Sequence, residues 1–231
     1  MNCPIALSDG ALDWLRRQEG EHPAVAAHYR VILEHPILRE VAEPLARAYD
    51  ALVATFQAGG TLFLCGNGGS LSDALHISGE LLKGFVRPRP LPEGLRQRLL
   101  AQPLGDELAV HLQAGLRAHV LGVNPALSSA IANDIALPGI GYAQELIALG
   151  RSGDLLLGLS TSGRARNVRY AVATAKAISM TTIGLSGQAP NPLAEAVDIA
   201  LAVPESETYR VQELHLALYH ALCLMVETRF F

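Results

Sequence analysis

Five short apolar runs, each followed by a stretch of helical pattern, constrain this chain more than any other feature. TLFLC (61–65), AHVLGV (118–123), DLLLGL (154–159), MTTIGL (180–185) and DIALAV (198–203) read as strands. Between and after them, helices are predicted at about 71–83, 126–133, 140–149, 164–178, 192–196 and 207–229. The runs are continuously apolar rather than alternating, which is the pattern of strands covered on both faces. An α/β chain with a parallel sheet between helical layers follows.

Ahead of the first strand, residues 23–57 carry Val25, Val31, Ile32, Leu33, Ile37, Val41, Leu45, Leu52, Val53 and Phe56 at three- and four-residue steps. They read as helices started or kinked at Pro36 and Pro44, with an earlier helix over 8–18 capped by Ser8 or Asp9. Residues 1–58 therefore form a helical segment and 59–231 the sheet domain, which 231 residues suffice to build. More apolar positions are present than one sheet face needs, among them Val31, Leu33, Ile37, Val41, Leu52 and Phe56. Left in water such a stripe is costly, so a symmetric homo-oligomer is expected. Residues 88–117, proline-rich and then amphipathic, read as a loop and one or two helices inserted before the second strand, the insert proper being about 92–117.

Chemistry concentrates in residues 61–80, TLFLCGNGGSLSDALHISGE. An apolar strand runs into Gly66-Asn67-Gly68-Gly69, whose small bulk lets backbone N–H groups approach an anion at the positive end of the next helix. Further along that helix His76 and Glu80, four apart, share one face, a pair suited to metal binding or proton transfer. A second such turn, Ser160-Thr161-Ser162-Gly163, also follows a strand. Its three hydroxyls, with Ser70 from the first turn, are expected to hold a phosphate monoester. Neither turn is a Walker A loop or a GxGxxG dinucleotide fingerprint. In open parallel sheets, ligands bind at the carboxyl ends of strands, where both turns fall.

The last helix places Gln212 and His220 eight apart, about two turns along one side. His215 points elsewhere, and the apolar neighbours of His220 fit a buried, neutral imidazole. Zinc accepts imidazole nitrogen and carboxylate oxygen, so His76, Glu80, Gln212 and His220 would make a four-ligand site if the two helices met. Asn133-Asp134 either ends a helix or touches a substrate. A net charge of −4 without a basic run argues against nucleic acid. No apolar stretch is long enough to cross a membrane, and no signal-peptide pattern opens the chain. Cys3, Cys65 and Cys223 are too few and scattered for a disulfide framework, so Cys65 and Cys223 read as core, Cys3 as part of a loose terminus, and the chain as cytoplasmic.

CGNGGSLSDALHISGEL (65–81), SSAIAND (128–134), GRSGDLLLGLSTSGRARNV (150–168), TIGLSG (182–187) and YRVQELHLALYHALC (209–223) together resemble the sugar isomerase (SIS) domain family, and within it the phosphoheptose, or sedoheptulose 7-phosphate, isomerases. The resemblance implies a flavodoxin-like, five-stranded parallel sheet flanked by helices, N-terminal helices packed in a homotetramer, and active sites at subunit interfaces. It implies one zinc held by the positions of His76, Glu80, Gln212 and His220, with Glu80 as catalytic base and His220 as acid. It places the sugar phosphate on Ser70, Ser160, Thr161 and Ser162, backed by Gly68 and Gly69, with Asn67, Asn133, Asp134 and Gln212 along the sugar. Three departures stand out: the insert, Lys83-Gly84-Phe85 in place of Gly-Arg-Tyr or Gly-Arg-Phe, and Tyr209 where several members are acidic. The second leaves the basic contact to Lys83 or Arg87. A non-catalytic relative, phosphosugar-binding or regulatory like the replication-initiator-associating proteins, needs the hydroxyl turns but not Glu80 and His220 together.

Overall fold

The computed structural model describes residues 8–231, so the expectation for Cys3 lies outside the described residues. Three helices come first: α1 (Asp9–Glu21), α2 (Pro23–Glu34) and α3 (Ala42–Gln57). Ser8 caps α1, its hydroxyl oxygen accepting the Ala11 N–H at 3.2 Å. Pro23 opens α2, where a missing N–H costs nothing. Pro36 falls in the break between α2 and a short 3-10 turn at Leu38–Val41, and Pro44 in the first turn of α3.

The alternating part follows as β1 (Leu62–Cys65), α4 (Gly69–Leu82), α5 (Glu93–Leu100), α6 (Gly105–His111), β2 (Ala118–Val120), α7 (Pro125–Asp134), α8 (Gly141–Leu149), β3 (Leu155–Ser160), α9 (Arg166–Ala177), β4 (Thr181–Ser186), α10 (Pro192–Ala196), β5 (Ile199–Ala202) and α11 (Thr208–Phe230). The strands form one sheet in the order β2-β1-β3-β4-β5. Every pairing is parallel, with Leu62 opposite both Ala118 and Leu155 and Ser160 opposite Ser186. The chain thus leaves the β1–β3 pair outward in both directions, which makes that pair the topological switch point, where ligands bind in this arrangement.

Period-two alternation divides the strand side chains between two cores. Leu62, Leu64, Leu155 and Leu157 join the N-terminal helices, α4 and α11. Phe63, Cys65 and Leu156 face α8, α9 and α10, with Leu121 and Tyr142. Burial on both faces is why β1 is apolar throughout and β3 is apolar up to Ser160. Cys65 and Cys223 are buried free thiols, as expected.

Two expectations need correction. Leu33, Val41, Leu52 and Phe56 are buried within the chain, because the first three helices and α11 close over one another as a second core layer. Only Val31 and Ile37 of that stripe remain exposed. The helix after the second turn begins at Arg166, so Arg164 and Ala165 separate it from Gly163.

The insert is the helical pair α5–α6. Its two roots run side by side: Ala114 N–H donates to the Arg89 carbonyl at 2.8 Å and Leu116 N–H to the Leu81 carbonyl at 2.9 Å. The excursion is therefore tied to the end of α4 that carries Glu80.

Candidate active site

At the end of β1 the chain turns through Gly68 with φ +55° and ψ −122°, a conformation that favours glycine. That leaves α4 without a side-chain cap. The Gly68 and Gly69 N–H groups have no hydrogen-bond partner among the described residues, and Ser70 is buried just behind them. Free amides at a helix start are an anion cradle. At the end of β3, Ser160 is buried, Thr161 half-buried and Ser162 exposed, a gradient leading from the sheet to solvent. Gly163 has φ +65°, and a Cβ there would run into the Asn191 carboxamide. Ser162 Oγ accepts the Arg164 N–H at 3.3 Å and so helps turn the chain into α9.

The two turns are joined across the switch point. Asn67 Nδ2 donates to Asn167 Oδ1 at 2.9 Å, and Asn167 Nδ2 returns the bond to Asn67 Oδ1 at 2.7 Å. The Tyr142 hydroxyl donates to the Gly66 carbonyl, with Asn67 Oδ1 also close at 3.2 Å. Asn167 and Tyr142 were not singled out for this role in the sequence, because they stand 100 and 75 residues from Asn67. Asn133 and Asp134 lie exposed at the end of α7, hydrogen-bonded to each other at 2.8 Å and to neither turn. A groove lined by Ser128, Ile131, Gly139, Tyr142 and Asn167 runs between α7 and the start of α8.

Helices α4 and α11 run side by side in one direction. The Gln212 carboxamide occupies the space beside Gly69, and Tyr219 and His220 stand beside His76. His76 Nε2 is 3.1 Å from Glu80 Oε1 and 3.4 Å from His220 Nε2. The three offer one ligand atom each, all within 4.8 Å of one another. Gln212 is not with them. It hydrogen-bonds to none of the three, and Gly69, which it touches, is two helical turns from His76, about 10 Å along the axis.

Burial lowers the pKa of His220, the nearby His76 adds to this and Glu80 opposes it. His220 is nevertheless half-exposed. The deeply buried imidazole on α11 is His215, 0% exposed, with neither ring nitrogen partnered among the described residues. Burial lowers its pKa to about 4, Ser186 opposing slightly. The apolar surroundings read at His220 belong to His215 because positions 211, 215, 218 and 222 face the sheet.

Three further residues shape the trio. The Tyr219 hydroxyl lies 3.0 Å from His76 Nδ1 and 3.3 Å from Asp73 Oδ1. Arg89, fully buried, donates to Glu227 at 2.9 Å and to the carbonyls of Leu81 at 2.7 Å and Glu80 at 2.8 Å. Glu227 also accepts the Phe85 and Val86 N–H groups at 2.8 and 3.0 Å. Arg89 thus satisfies the last carbonyls of α4 and fastens that end to α11. Lys83, weighed as the basic contact, spends its ammonium on the Gly84 carbonyl at 3.0 Å. Asp73 was legible as three residues before His76 on the same face; nothing local marked Arg89.

A family model described as the SIS domain matches residues 136–225. The phosphoheptose isomerase of Thiobacillus denitrificans is 34% identical over 214 residues, covering 90% of this chain and 95% of that protein. The phosphoheptose isomerase of Roseiflexus sp. is 35% identical over 182 residues, 79% of this chain and 80% of that one. Among solved structures, the phosphoheptose isomerase of Neisseria gonorrhoeae superposes with a TM-score of 0.65 at 27% identity, covering 94% of this chain and 98% of that one.

Proposed function

Since the chain belongs to the phosphoheptose isomerase family of SIS-domain proteins, we propose that it interconverts sedoheptulose 7-phosphate and D-glycero-D-manno-heptose 7-phosphate, or another aldoheptose 7-phosphate, through an enediol. The observation that carries this reading is the meeting of Glu80 and His220 from two helices, in a chain that also carries two anion-ready turns at the switch point. A binding or regulatory protein would need the turns alone.

Ser70, Ser160, Thr161 and Ser162, with the Gly68 and Gly69 amides, bind the phosphate. That fixes the far end of the sugar and spends remote binding energy on orienting C1 and C2. Asn67, Asn133, Asp134 and Gln212 line the path of the chain between. The Glu80 carboxylate takes the proton from C1 of the ketose. The C1–H electrons form the C1–C2 double bond, and the carbonyl electrons at O2 receive a proton. Return of a proton to C2, with loss of the O1 proton, gives the aldose, so no electrons leave the substrate. His220, whose charging is opposed by burial and by His76, is the imidazole that gives and takes the oxygen protons.

The donor set also fits zinc. Ligand atoms of a tetrahedral zinc with bonds of about 2.0–2.1 Å stand about 3.3 Å apart, against the 3.1 and 3.4 Å that separate His76 Nε2 from its two neighbours. His76, Glu80 and His220 would hold the ion, while Gln212, the fourth donor that the family resemblance implies, stands apart from them beside Gly69. Such an ion would supply Lewis-acid stabilisation of the enediolate oxygens. We place the enzyme in the cytoplasm, in keeping with its free thiols, and assign it a homotetramer. The apolar side chains left exposed, Val31, Ile37, Val86 and Val110 among them, support an assembly.

The test is an assay of purified protein, supplied with zinc, on sedoheptulose 7-phosphate. Formation of an aldoheptose 7-phosphate is expected. Phosphosugar binding without turnover would replace this reading with the regulatory one.

A further inference from the structure

The hydroxyl of Tyr219 has two neighbours and one proton. Asp73 Oδ1 lies 3.3 Å away and His76 Nδ1 3.0 Å away. As a carboxylate Asp73 can only accept, and its Oδ2 is buried without a partner among the described residues. If the phenol donated to His76, Asp73 would have no donor on either oxygen. With the phenol donating to Asp73, a lone pair faces Nδ1, which must then carry the ring hydrogen. The chain of donors runs one way, from His76 through Tyr219 to Asp73. His76 Nε2 is consequently left with a lone pair, aimed into the space it shares with Glu80 and His220.

Geometry around the ring supports the same assignment. Asp73, His76 and Glu80 lie at i, i+3 and i+7 on one face of α4, so the relay and the donor trio stand on the same stripe. The Tyr219 ring, itself buried, packs edge-on against both imidazoles, with centroids 5.5 Å from His76 and 5.0 Å from His220.

We propose that Tyr219, anchored by Asp73, is a positioning residue that fixes the Nδ1–H tautomer and the orientation of His76, and thereby makes Nε2 a divalent-cation ligand. The inference deepens the metal assignment made above and rests on it. Outer partners of this kind are worth about 10- to 100-fold in metal affinity.

Tyr219→Phe keeps the ring and removes only the hydroxyl. Zinc affinity is measured on metal-stripped protein by competition with a chromophoric chelator. The His76 ring nitrogens are followed by 15N NMR in the same samples, and a melting curve checks the fold. The expected result is a 10- to 100-fold loss of zinc affinity in Tyr219→Phe, together with loss of the Nδ1–H preference. Asp73→Ala, at a half-buried position, should show the same loss. Asp73→Asn keeps an acceptor oxygen for the phenol and should retain affinity within a few-fold. Wild-type zinc affinity in Tyr219→Phe and Asp73→Ala would overturn the proposal, as would failure of the wild-type protein to bind zinc. If Tyr219→Phe proves unstable, Asp73→Ala against Asp73→Asn decides. Zinc bound as expected by a protein with no isomerase activity would fault the functional reading and leave this one standing.

Discussion

At the scale of single residues, the chemistry depends on where hydroxyls and imidazoles meet burial. Ser160, Thr161 and Ser162 run from buried to exposed at the end of β3, so they can receive a phosphate from the solvent side without disturbing the sheet. Replacing all three with Ala should leave the fold intact and weaken phosphosugar binding at least tenfold in calorimetry; unchanged affinity would remove the phosphate from this turn. His215 makes a different prediction. Its folded pKa, about 4, lies below the ordinary 6.5, so as pH falls the unfolded chain takes up the proton first. The contribution of His215 to stability is therefore complete above about pH 6.5 and is lost progressively down to about pH 4, on the order of 3 kcal/mol in all. Denaturant titrations between pH 7 and 4 should show this slope in the wild type and a flatter one in His215→Leu. His76 and Glu80 were legible as an i, i+4 pair, because a helix face is a local property. Their meeting with His220 was only conditional in the sequence, since 144 residues separate the two imidazoles.

Among the elements, the strands were the most legible, because burial on both faces of a parallel sheet writes continuous apolar runs. The helix after the second turn starts later than its pattern indicates, at Arg166, because Gly163 bends the chain first. The fastening of α4 to α11 was not legible at all. Arg89 sits in a proline-rich stretch that reads as loop, yet both its side chain and that of Glu227 are 0% exposed. Burial pushes the Glu227 carboxyl up, but the Phe85 and Val86 amides and the Arg89 guanidinium more than offset this and hold it below the usual carboxylate range. Arg89→Met would leave a buried carboxylate without its cation and strip the Glu80 and Leu81 carbonyls of their donors. A loss of about 3–5 kcal/mol is expected in chemical denaturation at fixed protein concentration. A loss below about 1 kcal/mol would show that the pair is not what holds this end of α4. Isomerase activity should fall as well, since the same carbonyl belongs to the residue proposed as base.

For the molecule as a whole, the strand order places both hydroxyl-bearing turns at the β1–β3 switch point, and α4 and α11 bring Glu80 and His220 together. The expected apolar stripe of the N-terminal helices proved to be largely internal core, so the proposed assembly draws little support from it. Val31, Ile37, Val86 and the insert side chains Leu104 and Val110 are among the apolar residues left in water. Light scattering at micromolar concentration should find an oligomer, with a tetramer expected from the family; a stable monomer would contradict that. The central claim, an enediol isomerase that uses Glu80 as its base, is tested most directly by NMR of sedoheptulose 7-phosphate in D2O with zinc supplied. Wild-type protein should introduce deuterium at C2 of the aldose as it forms and, by reversal, at C1 of the ketose. Glu80→Gln should slow both by about 10²- to 10⁴-fold while still binding the sugar phosphate. Absence of exchange with the wild type, or exchange at the wild-type rate in Glu80→Gln, would contradict it.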